Sequence, residues 1–253
     1  MSSNPLDTQA FWEERLESQL NLRGTGHRAF DLTYNQWLYQ AQLDSLKSLF
    51  LRQQVSLQGK RVLDVGSGVG FYVDAYIKEG ASSIIGVDIA ESSVNYLKKH
   101  FPDHQFFVCN IADSPCPFEG PFDLISAVSV LYHIVDDAKF QAAMRNLCTM
   151  LSQNGYLLLS DTFQKSPTAR HTRFRSTNEY EQIFKPFEIE ILEITPIYYL
   201  MNHTFIPILG PLLINRLKLG QSLYQMDKWL KNRLGVNMGG MKFLLAKRVS
   251  RIP

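Results

Sequence analysis

The sequence predicts an α/β protein built on a doubly wound, mostly parallel sheet. Two observations carry this prediction. Between residues 60 and 161, short apolar runs alternate with segments of helical periodicity, which is the pattern of right-handed βαβ units with helices on both faces of a sheet. The first apolar run, residues 62–65, leads into three glycines spaced by single residues, and helical spacing resumes from Phe71 to Ile77. The first unit is therefore predicted to be a buried strand, a tight turn and a helix.

The three glycines, at positions 66, 68 and 70, indicate a ligand site. Glycine permits positive φ and has no Cβ, so a ligand can lie against the backbone and the free N–H groups of the next helix. A dinucleotide-binding turn would place its third glycine at position 71, where this chain has Phe. A nicotinamide-dependent oxidoreductase is therefore the disfavoured alternative.

Residues 62–70 resemble motif I of the class I S-adenosylmethionine-dependent methyltransferases. The resemblance continues through strands predicted at 83–88, 105–111, 122–128 and 154–160, and through two further strands at 187–192 and 240–249. It implies a Rossmann-like, doubly wound sheet of seven strands whose last strand is antiparallel. It also implies S-adenosylmethionine as the cofactor and S-adenosylhomocysteine as its product.

The resemblance also implies which residues bind the cofactor. Asp64 and the backbone of residues 66–70 would face the methionyl portion, Asp88 the ribose hydroxyls, and Asn110 with Ile111 the adenine. Asn110 departs from the family, which usually has Asp there, although an amide oxygen can still accept from the adenine amino group. The full set assigned to the cofactor in the core is Asp64, Gly66, Ser67, Gly68, Gly70, Asp88, Ile89, Asn110, Ile111 and Ser129.

The segment before the first strand, residues 1–56, is predicted to be helical. One helix spans residues 7–20, with Asp7 as its cap, and another runs from about Tyr34 to Arg52. In small-molecule methyltransferases such segments commonly fold over the cofactor as a lid, so Tyr34 and Trp37 are assigned to cofactor binding. The alternative, in which both aromatic side chains pack the helix on the core, stays open.

The predicted core, residues 57–195, is followed by an insertion at 196–238 and by the final strand within 239–253. The insertion begins with an aromatic, proline-interrupted stretch. Its second part places large apolar residues on one helical face: Leu219, Leu223, Met226, Leu230 and Leu234. This face could seal the helix on its own domain, roof the acceptor pocket, form a homodimer contact or bind a membrane surface.

Methyl transfer from a positively charged sulfur needs alignment of the reactants and exclusion of water more than it needs chemical activation by the protein. A general base is required only if the acceptor still carries its proton. Candidates are His133 after the fourth strand, Asp161 after the fifth and His203 in the insertion, with His171 as a further histidine in a polar loop. Each also has a structural interpretation, as a hydrogen-bonded histidine or a turn cap.

Two motifs missing from the sequence narrow the acceptor class. Residues 127–131 lack the Asn-Pro-Pro-Tyr type of sequence found in enzymes that methylate DNA adenine or glutamine. Asp161-Thr162 lacks the Asp-Asn pair with which catechol-type enzymes hold magnesium. We therefore expect a metal-independent enzyme that methylates an oxygen or nitrogen of a small, partly apolar metabolite. A catalytically silent cofactor-binding partner subunit and a membrane-peripheral enzyme acting on a lipid-like acceptor are the alternatives.

The composition excludes other classes of partner. Twenty-six Lys and Arg against 24 Asp and Glu leave a net charge of +2, too balanced for a protein that binds nucleic acid by charge alone. The three cysteines have no metal-ligand spacing and indicate reduced thiols. No apolar leader and no run of 18 apolar residues occurs, so we expect a cytoplasmic protein without a membrane span.

Overall fold

The computed structural model describes residues 7–165, 169, 171–201, 210–231, 233 and 240–249. The N-terminal segment contains α1 (Thr8–Ser18), the short α2 (Leu22–Thr25) and α3 (Leu32–Arg52). Asp7 caps α1 as predicted, since its carboxylate accepts a hydrogen bond from the Ala10 N–H at 3.1 Å. Asp31 caps α3 in the same way, which starts that helix two residues earlier than predicted.

The core alternates strands with helices. Its elements are β1 (Arg61–Val65), α4 (Phe71–Lys78), β2 (Ser83–Asp88), α5 (Glu91–His100), β3 (Gln105–Val108), β4 (Phe122–Ala127), α6 (Asp137–Met150), β5 (Leu151–Asp161), α7 (Thr177–Phe184), β6 (Ile189–Pro196), α8 (Pro211–Arg216), α9 (Gly220–Lys231) and β7 (Lys242–Arg248). The third strand is shorter than predicted, because the chain turns away from the sheet after Val108.

The seven strands form one sheet in the order β3-β2-β1-β4-β5-β7-β6. Strands β1 to β5 are mutually parallel, and β7 runs antiparallel to both β5 and β6. This arrangement confirms the predicted fold class, including the antiparallel last strand. The winding reverses direction between β1 and β4, so the carboxyl ends of these strands open the crevice in which such sheets bind ligands.

The apolar stripe predicted in the insertion packs on the domain in part, since Leu219 and Leu223 lie against the core. The side of α9 that packs on the domain carries Gly220, Tyr224 and Asp227, whereas Met226 is 55% exposed. A Cβ on Gly220 would lie 3.1 Å from the Tyr34 Cα, so this glycine lets the two helices approach closely. The predicted Leu234 lies outside the described residues. Close packing at Gly220, the polar contacts of Asp227 and the apolar contacts of Leu219 and Leu223 together set the orientation of the helix.

Candidate functional site

The glycine turn is held against the neighbouring strand β2. The backbone N–H groups of Gly66 and Ser67 both donate to the Val87 carbonyl oxygen, at 2.7 and 3.0 Å. Gly66, Gly68 and Gly70 have φ values of +72°, +53° and +79°, a region that side chains disfavour. Gly70 is the N-cap of α4, so the turn leads directly into the helix N-terminus. The geometry of residues 61–78 confirms the predicted order of strand, turn and helix.

Asp88, at the end of β2, faces this turn. Its Oδ2 accepts from the Gly68 N–H at 2.8 Å, and its Oδ1 accepts from the Ala90 N–H at 3.0 Å. Burial raises the pKa of Asp88, and these backbone donors oppose that shift. A carboxylate oxygen has two lone-pair directions, so each oxygen can still accept a hydroxyl proton from a ligand.

Asp64 lies beneath the turn and is 2% exposed. Its Oδ1 accepts from the Ser126 hydroxyl at 2.5 Å, while its Oδ2 has no hydrogen-bond partner among the described residues. Burial raises the pKa of Asp64 to about 6. A buried carboxylate with an unsatisfied oxygen is costly unless a donor or cation reaches it.

Asn110 and Ile111 follow β3 and line the far end of the same cavity. The Asn110 Oδ1 accepts from the Ala112 N–H at 3.1 Å, which fixes the side chain in a local turn. One lone pair of the amide oxygen is therefore already used. The interpretation of Asn110 as an acceptor for an adenine amino group rests on the other lone pair.

The N-terminal segment covers the glycine turn. A Cβ on Gly68 would lie 2.7 Å from the Thr25 Cγ2, and the Thr25 hydroxyl accepts from the Tyr39 hydroxyl at 2.8 Å. Arg15 joins α1 to the following loop through hydrogen bonds to the carbonyl oxygens of Gly24 and Gly26. The cover is thus bonded together and rests directly on the turn.

His133 forms part of the opposite wall. Its Nδ1 lies 2.9 Å from the His171 carbonyl oxygen, and because that oxygen can only accept, Nδ1 carries the proton and Nε2 carries the lone pair. The Trp12 ring meets the imidazole edge-on at 5.3 Å. Burial lowers the pKa of His133 to about 4, so the side chain is neutral at physiological pH.

These groups enclose a cavity of about 690 Å³. Ligand pockets for small molecules and cofactors usually fall between roughly 300 and 1,000 Å³. The charged side chains of its described lining are Asp7, Asp88, Asp136 and Lys139, which give an excess of negative charge. This electrostatic balance favours a positively charged ligand.

The structure brings most of the predicted site residues to the cavity wall. Those that line it are Gly66, Ser67, Gly68, Asp88, Ile89, Asn110, Ile111, Ser129 and His133. Ser129 has a φ of +61°, and its N–H donates to the Ser160 hydroxyl at 2.7 Å. A non-glycine residue held in this region is a feature of functional sites. Asp64 and Gly70 are not among the lining residues, and His203 lies outside the described residues.

Tyr34 and Trp37 do not line the cavity, and their positions match the alternative in which both aromatic side chains pack the helix on the core. Tyr34 is 1% exposed and stacks on Phe30 with ring centroids 4.1 Å apart. Trp37 stacks on Tyr224 of α9 at 5.1 Å. Both side chains therefore lie on the face of α3 that packs against α9, away from the cavity.

Tyr39 and Gln42, on the cavity face of α3, take the place of those two aromatic residues. The Tyr72 hydroxyl donates to the Gln42 Oε1 at 2.6 Å, and all three side chains line the cavity. Sequence reasoning missed Tyr39, Gln42 and the α1 residues Trp12 and Leu16. The helical spacing of Tyr39 from Trp37, which places them on opposite faces, was the available signal.

Asp161 and His171 are placed away from the reacting space. Asp161 is fully buried, accepts from the Tyr180 hydroxyl at 2.8 Å and does not line the cavity. The His171 side chain is exposed. Its backbone carbonyl oxygen accepts from His133, and its ring stacks on the His133 ring with centroids 6.3 Å apart. Asp161 is therefore apart from the cavity, and His133 is the histidine that lines it among the described residues.

The site fits S-adenosylmethionine on three observations. Gly66 and Gly68 present backbone without a side chain to the cavity, Asp88 presents acceptor oxygens, and the described lining carries excess negative charge. The unsatisfied Asp64 Oδ2 beneath the turn would be compensated by a positively charged ligand group.

Comparisons with known proteins point in the same direction. The sequence matches the family described as "Methyltransferase domain" over residues 34–194. A ubiquinone biosynthesis O-methyltransferase of Coxiella burnetii is 26% identical over 179 residues, which cover 62% of this chain and 75% of that protein. The protein of the same name from Methylococcus capsulatus is 28% identical over 131 residues, covering 49% and 52% of the two chains.

Among solved structures, the magnesium protoporphyrin IX methyltransferase of Synechocystis PCC 6803 with bound SAM superposes with a TM-score of 0.60. The alignment covers 98% of this chain and 100% of that chain, at 16% sequence identity. At this identity the match shows the shared fold.

Proposed function

The chain belongs to the methyltransferase-domain family of S-adenosylmethionine-dependent enzymes, and from this premise we propose that it methylates an oxygen of a small, partly apolar metabolite. The choice of oxygen is supported by the curated relatives, which carry "O-methyltransferase" in their names. The partly apolar character is supported by the side chains on the acceptor side of the cavity, described below.

When bound, S-adenosylmethionine supplies a methyl group attached to a positively charged sulfur, which makes that group ready to leave. The residues of this chain bind and orient it. Asp88 accepts from the ribose hydroxyls, Asp64 and the turn at Gly66–Gly68 bind the methionyl portion, and Asn110 with Ile111 contacts the adenine. The α1 and α2 cover excludes water from the reacting groups.

The observation that carries the acceptor proposal is the pairing of Trp12 with His133 on the cavity wall. An indole ring offers a flat apolar surface for a ring-bearing acceptor. The neighbouring wall continues with the apolar Ile134 and Val135 and then with the charged Asp136 and Lys139. Such a pocket suits a hydroxylated, partly apolar molecule.

His133 then acts as the general base for the acceptor hydroxyl. The His171 carbonyl oxygen fixes the Nδ1–H tautomer, which leaves the Nε2 lone pair to take the hydroxyl proton. Its lowered pKa keeps it unprotonated at neutral pH, although it also makes it a weak base. We therefore assign the proton transfer to the same step as methyl transfer, in which the attacking oxygen becomes more acidic.

The proposal is tested by transfer of a radiolabelled methyl group from S-adenosylmethionine to a panel of acceptors. The panel pairs alkyl-substituted phenols and catechols with alkylamines and carboxylic acids of matched size. We expect labelled ether products from the phenolic members. Preference for amines would move the acceptor atom to nitrogen. Tight binding of S-adenosylhomocysteine without turnover of any acceptor would instead favour a cofactor-binding subunit.

A further inference from the structure

Helices α8 and α9 leave a group of large apolar side chains at the protein surface. Leu212 is 87% exposed, Leu213 44% and Leu217 55%, and on α9 Met226 and Trp229 are 55% and 52% exposed. Single exposed apolar residues are ordinary, but a cluster of this kind on consecutive short helices marks an interaction surface.

In the part of the chain that the structure describes, α9 packs on the domain with its opposite side. Tyr224 stacks on Trp37, and Asp227 accepts from the Tyr199 N–H at 2.7 Å. Trp229 follows Asp227 by two residues, which is about 200° around a helix. Trp229 therefore points away from the contacts that attach the helix to α3.

Helix α8 is attached to the segment that covers the cofactor cavity. The Asn215 side chain accepts from the Asp31 N–H at 3.0 Å and donates to the Ala29 carbonyl oxygen at 3.1 Å. Lys218 pairs with the Asp31 carboxylate at 2.6 Å. Leu32, the next residue, is 42% exposed and extends the apolar surface onto the start of α3.

The same surface is rich in positive charge. Residues 210–233 contain five Lys and Arg, four of them outside the domain contact because Lys231 hydrogen-bonds to the buried Ser45, and their one acid, Asp227, is buried. Lys218 and Lys228 pair with Asp31 and Asp44 yet remain 66% and 62% exposed. The Arg233 guanidinium lies over the Trp229 ring at 4.2 Å. Leucine, tryptophan and basic residues together are the composition of helices that lie in a membrane interface.

We propose that this surface, defined by Leu32, Leu212, Leu213, Leu217, Met226 and Trp229 with the surrounding basic residues, docks on an anionic phospholipid membrane. An anionic headgroup layer complements the charge, and the exposed side chains enter the acyl boundary. A symmetric contact with a second copy would place like charges against each other, so charge favours the membrane over a dimer. The inference goes beyond the proposed reaction, and it brings the cover of the cavity close to the lipid.

The test is co-sedimentation of the full chain with vesicles, which requires no acceptor and so is independent of the methylation assay. Vesicles of phosphatidylcholine alone are compared with equal mixtures of phosphatidylcholine and phosphatidylglycerol. We expect binding to the anionic vesicles that weakens as salt is raised. The double variant L212S/L213S should bind at least about tenfold more weakly, because two leucines no longer enter the membrane.

Matched control variants test whether a loss of vesicle binding is specific to this surface. Leu51→Ser removes a leucine that is 81% exposed at the end of α3, and it should bind like the unaltered chain. Arg216→Glu should weaken binding about tenfold, whereas Lys98→Glu, on the exposed side of α5, should have a smaller effect.

Four outcomes would overturn the proposal. The first is that the protein binds neither kind of vesicle, and the second is that it binds both equally and independently of salt. The third is that L212S/L213S binds as well as the unaltered chain. The fourth is that light scattering shows a dimer that the same substitutions dissociate. Because all the altered side chains are exposed, the variants should keep the melting temperature of the parent, and this checks that they fold.

Discussion

Glu13 caps the helix that begins at Glu91. Its carboxylate accepts hydrogen bonds from the backbone N–H groups of Glu91 and Ser92, at 2.5 and 3.0 Å. The N-cap position of α5 is Ala90, whose side chain cannot cap a helix, so α1 supplies the missing acceptor from a distant part of the sequence. A carboxylate at a helix N-terminus is further stabilised by the helix dipole. This contact attaches the N-terminal cover beside Asp88.

Glu13→Ala should loosen the cover and weaken cofactor binding. Loss of an N-cap acceptor typically costs about 1 to 2 kcal/mol, which corresponds to roughly 5- to 30-fold in affinity if the docked α1 is needed for binding. Titration calorimetry with S-adenosylhomocysteine measures the change. Glu17→Ala, an exposed position on the same helix, is the control and should leave the affinity unchanged. Equal affinities for the two variants would show that α1 docking and binding are uncoupled.

Gly68→Ala should abolish most cofactor binding, whereas Gly59→Ala should not affect it. Both glycines have positive φ, at +53° and +70°, so both substitutions carry a backbone cost of about 1 kcal/mol. Only the Gly68 Cβ meets another group, the Thr25 Cγ2 at 2.7 Å, and only Gly68 lines the cavity. The unfolding temperature should fall in both variants, and further in G68A because of the contact with Thr25, while affinity for S-adenosylhomocysteine falls in G68A alone. A matched loss of affinity in G59A would indicate a general stability effect.

Asp64→Asn should stabilise the cofactor-free protein at pH 7 and weaken its affinity for the cofactor. The folded pKa of about 6 lies above the ordinary value of 3.8, so the folded state holds the proton more tightly and stability falls as pH rises through that interval. The buried charge therefore costs about 2 to 3 kcal/mol at pH 7, and its removal should raise Tm by about 5 °C or more. The gain should vanish below about pH 4.

The control for this substitution is Asp103→Asn, in the exposed loop before β3. It should leave Tm and its pH dependence unchanged. For D64N, we expect S-adenosylhomocysteine to bind at least tenfold more weakly, because a charged acceptor is lost beneath the turn. A variant that is both less stable and unaltered in affinity would contradict the assignment of Asp64.

His133→Gln should lower kcat by about 10² to 10⁴, the usual contribution of a general base, while leaving cofactor affinity nearly unchanged. Because the pKa of His133 is lowered to about 4, the parent enzyme should keep the kcat contribution of this base until the pH falls below about 5. His100→Ala is the control, since this exposed histidine at the end of α5 does not line the cavity. Retention of most activity in H133Q would leave His133 with a structural role only.

The elements that the sequence could predict are those whose patterns are local. The turn at Gly66–Gly70 followed from glycine spacing after an apolar run, and its positive φ values follow from the same residues. Asp88 could be placed because the carboxyl ends of parallel strands meet at one edge of a sheet. The cap of α7 by Ser176 is likewise local, and the structure has it as a capping box with Glu179.

What the sequence by itself determined was the order of strands and helices and the position of the cofactor crevice, because periodicity and turn chemistry act within a few residues. Only the tertiary structure decided which face of α3 met the cavity. Trp37 and Tyr39 are two residues apart and point in nearly opposite directions. Helix α9 packs against the face of α3 that carries Trp37. The contact of Glu13 with α5 joins segments 78 residues apart and has no local signal. Packing between distant segments decides the orientation of α3 and the position of α1, and a single sequence contains no local pattern that indicates these contacts.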